Sequence, residues 1–205
     1  MTASLRLPYD IKNAGDLSRK YPHTRLEEGK MESLAIEWLL DTPIGNIEVT
    51  ACEKGVRRIN LSGLMSRLKP LARHTQIPIP PARRIAIQTL DEITEYLQQK
   101  RSTFDIRIDW SQITFFQRTV LEQISSVSFG EVYTYGQIAQ LLGKPTASRA
   151  VGGALARNPI PILVPCHRVV AKNGHLTGYS AAEGIATKQW LLEMEGHRIV
   201  NQKLV

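Results

Sequence analysis

The spacing of the apolar residues changes partway along the chain, from every second residue to every third or fourth. Alternation in steps of two predicts β-strands, because successive side chains of a strand point to opposite faces. The alternating segments are 34–40, 47–51 and 56–61, separated by turn residues at 42–45 and 53–55. One face of the first strand is formed by Leu34, Ile36, Trp38 and Leu40. We therefore predict a small antiparallel sheet near the start of the fold.

Helical spacing begins after a proline-rich connection. Residues 66–82 contain four prolines, which predicts an irregular segment. A helical stripe then runs through 83–99, and residues 104–110 alternate once more. A further helix is predicted over 115–127, before the pattern is broken by Gly130. A block of strands followed by helices is typical of an α+β fold.

Length and composition limit the organisation of the protein. The 205 residues suffice for one large domain or two small ones. We predict an N-terminal arm at 1–33, an α/β domain at 34–109 and a second domain at 110–205. Hydrophobic residues make up 42% of the chain, which argues against extensive disorder. No apolar run approaches the ~18 residues of a membrane helix, and no secretory segment opens the sequence, so we expect no association with membranes.

Charge and cysteine content bear on partners and compartment. The formal net charge of +7 permits a polyanionic partner such as nucleic acid without establishing one. Two cysteines, Cys52 and Cys166, cannot build a disulfide framework, so we expect a reducing compartment: the cytoplasm, or the nucleus if the source is eukaryotic. These cysteines and the five histidines lack the spacing of a zinc site, and no glycine-rich phosphate loop is present. We predict neither a metal nor a cofactor.

The next two predicted helices are short and joined by a tight turn. Helical stripes run over 134–143 and 147–158, and residues 143–145 interrupt them. This arrangement predicts a helix-turn-helix, a common DNA-binding unit. Gly152 and Gly153 lie inside the second helix, although each disfavours a helix by ~1 kcal/mol. Either another helix packs tightly against them, or a ligand must approach the helix backbone closely.

A cysteine followed by a histidine ends the apolar run that begins at residue 161. Cys166 and His167 would point to opposite faces of a strand, so they can cooperate only on a turn or helix or through a water. A thiolate is a nucleophile, and a histidine base needs a partner that orients it. Glu195, near the end of a helix predicted around 188–196, is the candidate carboxylate. The alternative is that the Cys–His pair is incidental.

These segments together resemble the 6-O-alkylguanine-DNA alkyltransferases, which are methylated-DNA–protein-cysteine methyltransferases. The resemblance rests on PCHRVV at 165–170, preceded by FGEVYTYGQIA, ASRAVGGAL and NPIPIL, and it extends over about 34–200. It also includes the TPIG turn and KQWLLEMEGH. The family implies a ribonuclease-H-like first domain, with an antiparallel sheet and a helix. It implies a winged-helix-like second domain whose helix-turn-helix lies beside the active cysteine.

The resemblance implies a role for each residue that matches a family motif. Cys166 resembles the alkyl acceptor, His167 the base that reaches it through a water, and Glu195 the carboxylate that orients the histidine. Tyr135 matches the tyrosine that rotates a DNA phosphate and donates a proton to the departing guanine oxygen. Arg149 matches an arginine that fills the space left by an extruded base, although it could also be one solvated charge among many.

The same comparison assigns the remaining contacts. The implied DNA-binding residues are Tyr135, Lys144, Ser148, Arg149 and Gly152. The implied pocket for the alkylated base is formed by Asn158, Pro161, Val169, Tyr179 and Ser180. Asn158 also matches the asparagine that links the recognition helix to the active-site turn.

The implied function is direct reversal of DNA damage. The protein would flip 6-O-alkylguanine, and also 4-O-alkylthymine, out of the duplex and transfer the alkyl group irreversibly to Cys166 in a single turnover. The implied partner is double-stranded DNA containing alkylated guanine, bound through its minor groove by a monomer. The alternatives are a non-catalytic lesion binder, a helix-turn-helix regulator and a thiol hydrolase that uses the same Cys, His and Glu.

Two departures from the family pattern are visible. The family commonly has Gly-Gly and a short run to a lysine after the pocket serine, whereas this chain has AAEGIAT at 181–187. The rim of the pocket should therefore differ. Some animal members hold a structural zinc in the first domain, and Cys52 with His74 does not reproduce its ligand set.

Overall fold

The structure, a computed structural model, describes residues 34–62 and 79–205. The first of these ranges contains three antiparallel strands. The strands are β1 (Ala35–Thr42), β2 (Gly45–Cys52) and β3 (Gly55–Ser62), in the order β1-β2-β3. The predicted antiparallel meander is confirmed. The predicted arm at 1–33, most of the connection at 66–82 and His74 lie outside the described residues.

A single long helix, α1 (Pro81–Leu97), covers one face of this sheet by packing against β1 and β2. The buried face of β1 carries Ala35, Glu37 and Leu39, while Ile36, Trp38 and Leu40 on the opposite face are half-buried. Glu37 can occupy the covered face because Arg83 of α1 donates to its carboxylate at 2.7 Å. The more apolar face of the strand is thus not the one that the helix covers.

After α1, the chain runs back beside the first residues of β3. The apolar residues of 104–110 alternate as in a strand. In the described part of the chain this segment forms a single parallel bridge, between Ile108 and Val56. The Val56 amide donates to Arg107 O, and the Asp109 amide donates to Val56 O, both at 2.8 Å. Gly55 permits this approach, since a Cβ there would lie 2.4 Å from Arg107 O.

The second half of the molecule is built from helices and very short strands. Thr134 and Gln137 form a capping box that starts the helix after residue 134. The elements in chain order are α2 (Phe115–Ser125), β4 (Tyr133–Thr134), α3 (Tyr135–Leu141), α4 (Ser148–Ala156), β5 (Val169–Val170), α5 (Ile185–Met194), β6 (Ile199–Val200) and β7 (Lys203–Leu204).

The helix-turn-helix prediction corresponds to α3 and α4, which pack against each other, and α2 packs on both. The parallel β4–β5 pair and the β6–β7 hairpin were not predicted, because two-residue strands leave no periodicity in a sequence. No helix within the described ranges is long and apolar enough to cross a membrane.

Strand β3 connects the two halves. Its Ile59 amide donates to Pro159 O at 2.8 Å, just after α4, and its Leu61 carbonyl accepts from the Ala182 amide at 3.1 Å. A continuous set of buried apolar side chains runs from the sheet, through α1, to the helices of the second half. The sheet therefore lies against the loops that follow α4 and precede α5.

A buried ion pair holds the end of the returning segment. Asp109 Oδ2 lies 2.7 Å from Arg57 Nη2 and accepts from Cys52 Sγ at 3.3 Å. The Asp109 side chain is only 3% exposed. Burial alone would raise the pKa of Asp109, but hydrogen bonds from Ser111, Arg57 and Cys52 outweigh it and hold that pKa well below its usual range.

We expect Asp109→Asn to destabilise the fold by about 3 kcal/mol, because breaking a buried pair leaves a charge without its counter-ion. Chemical denaturation measures the free energy of unfolding. Glu122→Gln is the control, since Glu122 pairs with Arg118 on an exposed helix face and should cost less than about 0.5 kcal/mol. Equal losses in the two variants would contradict this account of the pair.

Candidate functional site

The Cys–His pair lies on a tight 3₁₀ turn, Cys166–Arg168, between Pro165 and β5. On this turn the neighbouring side chains need not point to opposite faces, as they would on a strand. All three are buried: Cys166 is 9% exposed, His167 0% and Arg168 4%. The geometry that the sequence required for cooperation between Cys166 and His167 is present.

The Glu195 carboxylate is the centre of the hydrogen-bond network behind this turn. Glu195 directly follows α5 and is 5% exposed. Its Oε1 accepts from His167 Nε2 at 3.0 Å and from Arg168 Nη2 at 2.7 Å. Arg168 Nε lies 3.0 Å from both carboxylate oxygens, and the Gly130 amide donates to Oε2 at 3.4 Å. Burial would raise the pKa of Glu195, but hydrogen bonds from His167 and Arg168 lower it to about 2.

This contact determines which nitrogen of His167 is available for chemistry. Because Nε2 faces a carboxylate, Nε2 carries the proton and Nδ1 carries the lone pair. His167 Nδ1 is buried and has no hydrogen-bond partner among the residues that the structure describes. Burial lowers the pKa of His167, against the opposing effect of Glu195. The imidazole is thus neutral at rest, and its Nδ1 can accept a proton.

The thiol itself is held by the residue that follows the second helix of the helix-turn-helix. Asn158 Nδ2 donates to Cys166 Sγ at 3.2 Å and to Val164 O at 2.9 Å. Its Oδ1 accepts from the Ile160 amide at 3.1 Å. Asn158 therefore connects the end of α4 to the cysteine turn.

A buried lysine also acts on the thiol. Lys188 of α5 is 1% exposed, and its Nζ donates to Val169 O at 2.5 Å and to Thr177 O at 2.8 Å. Burial raises the pKa of Cys166, while the Asn158 hydrogen bond and the Lys188 charge oppose that rise. Burial lowers the pKa of Lys188 to about 8. The ammonium charge and the thiol thus influence each other's ionisation.

Tyr135 is at the start of α3, close to this lysine. Its Oη donates to Thr177 O at 3.1 Å, the same carbonyl that accepts from Lys188. A Cβ at Gly178 would lie 2.7 Å from this hydroxyl oxygen, so a larger residue there would displace it. Burial raises the pKa of Tyr135, which therefore keeps its proton at neutral pH.

The predicted DNA contacts lie on the helix-turn-helix. Lys144 and Arg149 are exposed, and Ser148 begins α4. Lys144 Nζ lies 5.4 Å from the centre of the Phe116 ring. A Cβ at Gly152 would meet the Tyr135 ring at 3.7 Å, which is ordinary contact. Packing within the protein therefore does not require a glycine at this position.

The predicted pocket residues divide into buried and exposed members. Pro161, Val169 and Tyr179 are buried, and the Tyr179 hydroxyl has no hydrogen-bond partner in the described ranges. Ser180 is exposed, and its hydroxyl donates to Ala156 O at 3.2 Å. The structure thus places Ser180 against the end of α4.

The segment 181–187 makes its own turn beside Ser180. Ala182 adopts a positive φ of 48°, and its amide donates to Leu61 O of β3. The Gly184 amide donates to Ala181 O, and the Glu183 amide donates to Thr187 Oγ1. This segment is therefore tied to the sheet.

Sequence reasoning missed three buried polar residues of the site. Arg168 was seen only as part of the PCHR string, Lys188 only as a lysine after the pocket, and Tyr96 not at all. Tyr96 is 0% exposed, and its hydroxyl donates to Glu195 Oε1 at 2.5 Å. It follows Ile93 by three residues on the apolar stripe of α1, and a buried tyrosine hydroxyl needs a partner. That signal could have indicated a polar contact.

Fold and site together define a protein in which a helix-turn-helix is joined to a buried cysteine. A family model described as 6-O-methylguanine DNA methyltransferase, ribonuclease-like domain, matches residues 36–110. A second, described as the DNA binding domain of the same protein, matches residues 115–202. The chain belongs to the 6-O-methylguanine DNA methyltransferase family.

Individual relatives agree with this assignment. The human methylated-DNA–protein-cysteine methyltransferase is 37% identical over 170 residues, which cover 78% of this chain and 80% of the relative. The Methanosarcina acetivorans protein of that name is 35% identical over 162 residues, covering 77% and 96%. The Mycobacterium tuberculosis OGT structure in complex with DNA is 33% identical, covers 76% of this chain and 89% of its own, and superposes with a TM-score of 0.60.

The depressed pKa of Glu195 predicts how stability depends on pH. Its carboxylate is ionised in the folded protein down to a pKa of about 2, whereas the unfolded chain protonates it near the usual 4.5. The stabilisation is therefore complete above pH ~4.5 and is lost as the pH falls toward 2. Glu195→Gln should lower the melting temperature at pH 7, where the buried Arg168 loses its counter-ion. The difference from wild type should shrink below pH ~4.5.

Thermal melts of both proteins from pH 2 to pH 8 measure this difference. Glu193→Gln is the matched control, because Glu193 is exposed two residues before Glu195 and accepts from Gln189 rather than from the network. It should melt close to wild type throughout. A Glu195→Gln difference that stays constant with pH would contradict the role of the ionised carboxylate.

Proposed function

We propose that the protein repairs 6-O-alkylguanine in double-stranded DNA by transferring the alkyl group irreversibly to Cys166. The observation that carries this proposal is the Asn158 hydrogen bond to Cys166 Sγ at 3.2 Å. It joins a nucleophilic thiol to the end of a helix-turn-helix, so the unit that contacts DNA also positions the acceptor. Transfer from 4-O-alkylthymine belongs to the same proposal, because its alkyl carbon is bound to an equivalent exocyclic oxygen.

The chemical step is a direct displacement at the alkyl carbon. The Cys166 sulfur attacks that carbon, the carbon–O6 bond breaks, and its electron pair remains on the guanine. The Cys166 proton passes to His167 Nδ1 through one water. Tyr135 donates a proton to the departing guanine, so the base leaves neutral. The thioether has no easy leaving group, so each protein molecule reacts once.

The network behind the turn supports this proton transfer. Protonation of Nδ1 makes His167 an imidazolium whose Nε2–H faces the ionised Glu195 at 3.0 Å. Such a carboxylate fixes the tautomer and stabilises the charge that forms. Arg168 holds Glu195 through both oxygens, so the carboxylate cannot turn away. No oxyanion donors are needed, because no carbonyl is attacked.

DNA binding follows from the exposed face of α3 and α4. An alkylated base inside a duplex is out of reach of Cys166 and must be flipped, which costs a few kcal/mol. Arg149 is exposed on α4 and would fill the space left in the stack. Gly152 leaves the helix backbone accessible, although packing within the protein leaves room for a side chain there. These features favour entry of α4 into the minor groove, where side chains can separate base steps.

We also propose that the chain divides at 109/110 into a sheet domain and a DNA-binding domain, with an N-terminal arm at 1–33. We propose that it acts as a monomer. Asn158, Pro161, Val169, Tyr179 and Ser180 form the base pocket, with 181–187 at its rim. A reducing compartment, cytoplasm or nucleus, would keep the Cys166 thiol free.

We expect wild-type protein mixed with excess methylated duplex to remove one methyl group per molecule and then stop. Counting methylguanine left in the DNA against protein added measures this ratio. Cys166→Ser should remove none, while its hydroxyl can still accept from Asn158. Cys52→Ser is the control, because Cys52 is buried beside Asp109 on the sheet and should leave the ratio unchanged. Repair of several lesions per molecule would contradict the proposal.

Arg149→Ala should slow repair of duplex DNA by at least about tenfold while leaving reaction with the free alkylated base nearly unchanged, since only a stacked base must be flipped. Single-turnover rates on the two substrates give the comparison. Arg157→Ala removes an equal exposed charge at the other end of α4 and should slow duplex repair much less. If Arg149→Ala slows both substrates equally, the assignment of Arg149 is wrong.

A further inference from the structure

One component of the active-site network comes from the sheet domain. Tyr96 lies in the last turn of α1, and its hydroxyl donates to Glu195 Oε1 at 2.5 Å. The Tyr96 hydroxyl oxygen also lies 3.3 Å from His167 Nε2. Tyr96 is 71 residues from His167 and 99 from Glu195 in the sequence. A helix outside the DNA-binding half therefore reaches the atoms that control the histidine.

We propose that Tyr96 is a positioning residue for alkyl transfer, holding Glu195 and thereby orienting His167 toward Cys166. The inference rests on the proposed function of Cys166, His167 and Glu195 and extends it to the sheet domain. Tyr96 itself touches neither the substrate nor the thiol in this assignment. It acts only through the carboxylate and the imidazole.

The Tyr96 hydroxyl makes two hydrogen-bond contacts at the same time. It donates to Glu195 Oε1, which also accepts from His167 and Arg168, so it fixes the position of that oxygen. Its own lone pair faces His167 Nε2–H, which adds a second, longer contact at 3.3 Å. The shorter bond removes negative charge from the oxygen that stabilises protonated His167. Tyr96 thus both orients the base and limits how readily it takes a proton.

The aromatic ring is held independently of the hydroxyl. Its centre lies 5.3 Å from that of Phe104 and 6.0 Å from that of Phe129. A phenylalanine at 96 would keep these contacts and lose only the hydroxyl. Tyr96→Phe therefore separates the polar role from the packing role.

The sign of the expected effect depends on all charged and titratable groups around His167. Glu195 favours the imidazolium, whereas Arg168 and Lys188 oppose it. Cys166 and Tyr179 also border the site. Removing the Tyr96 hydroxyl also removes its 3.3 Å contact with Nε2, but the 2.5 Å bond to Glu195 is the stronger of the two, so the main effect is more negative charge on Glu195 Oε1. Protonated His167 then becomes more stable. Because only neutral His167 can accept the Cys166 proton, transfer should reach half its maximal rate at a higher pH.

The test is the pH profile of single-turnover methyl transfer from duplex DNA. For Tyr96→Phe we expect the midpoint to move about one pH unit higher, which corresponds to about tenfold in the protonation equilibrium of His167, as for loss of a hydrogen bond to a charged group. DNA affinity should be unchanged, because Tyr96 is buried in the sheet domain. The assays are run where circular dichroism shows both proteins folded.

Phe104→Leu is the matched control. It weakens the packing of the Tyr96 ring but keeps the hydroxyl, so it should lower the melting temperature and leave the pH midpoint in place. The proposal is overturned if the Tyr96→Phe midpoint is unchanged or moves to lower pH, or if Phe104→Leu moves it equally. Methylation of Cys166 is measured in the same wild-type reactions. A wild type that transfers no methyl group contradicts the proposed function, whereas an unmoved Tyr96→Phe midpoint contradicts only the role of Tyr96.

Discussion

The Glu195 carboxylate is the group on which the candidate active site depends. An ionised carboxylate loses several kcal/mol of hydration on burial, and it stays charged only when hydrogen bonds compensate for that loss. Here the donors come from separate parts of the chain: the two-pronged contact of Arg168, the imidazole of His167, the Gly130 amide and the Tyr96 hydroxyl. Because the donors lie on different elements, the same charge fixes the cysteine turn, the end of α5 and the end of α1 relative to one another.

The cysteine is linked to the helix-turn-helix by a second, smaller set of contacts. Asn158 joins the end of α4 to Cys166 and Val164, and Ser180 contacts the last residue of the same helix. A change at the sulfur would therefore be transmitted to the end of α4. Ile162 lies between Asn158 and Val164 in the sequence. It is buried and has a positive φ of 75°, which is strained for a β-branched residue. The turn keeps this conformation because the packing around it leaves little freedom.

The parts of the fold with a clear period could be predicted from sequence. The strands of the meander and the helices α1 to α4 follow from apolar spacing, within a few residues at their ends. Cys166, His167 and Glu195 were candidates because their chemistry is specific. The structure places His167 in hydrogen-bond contact with Glu195 and on the same 3₁₀ turn as Cys166. Family resemblance, rather than spacing, supplied Tyr135, Arg149 and Asn158.

The rest depends on contacts between distant segments, which no local pattern records. Glu37 was not expected on the covered face of β1, since only its pairing with Arg83 makes that burial possible. Residues 104–110 alternate like a strand, but they meet β3 at a single bridge. Tyr96 reads as one more core residue of an amphipathic helix, because its polar partner is 99 residues away.

If Cys166 alone becomes the permanent carrier of the alkyl group, the label of a methyl-labelled duplex must end on its sulfur. Peptide mapping by mass spectrometry after the reaction locates that label. We expect one labelled methyl on the sulfur of Cys166, none on Cys52, and no loss of label on prolonged incubation. Label on another residue, or label that is released to solvent, would contradict it.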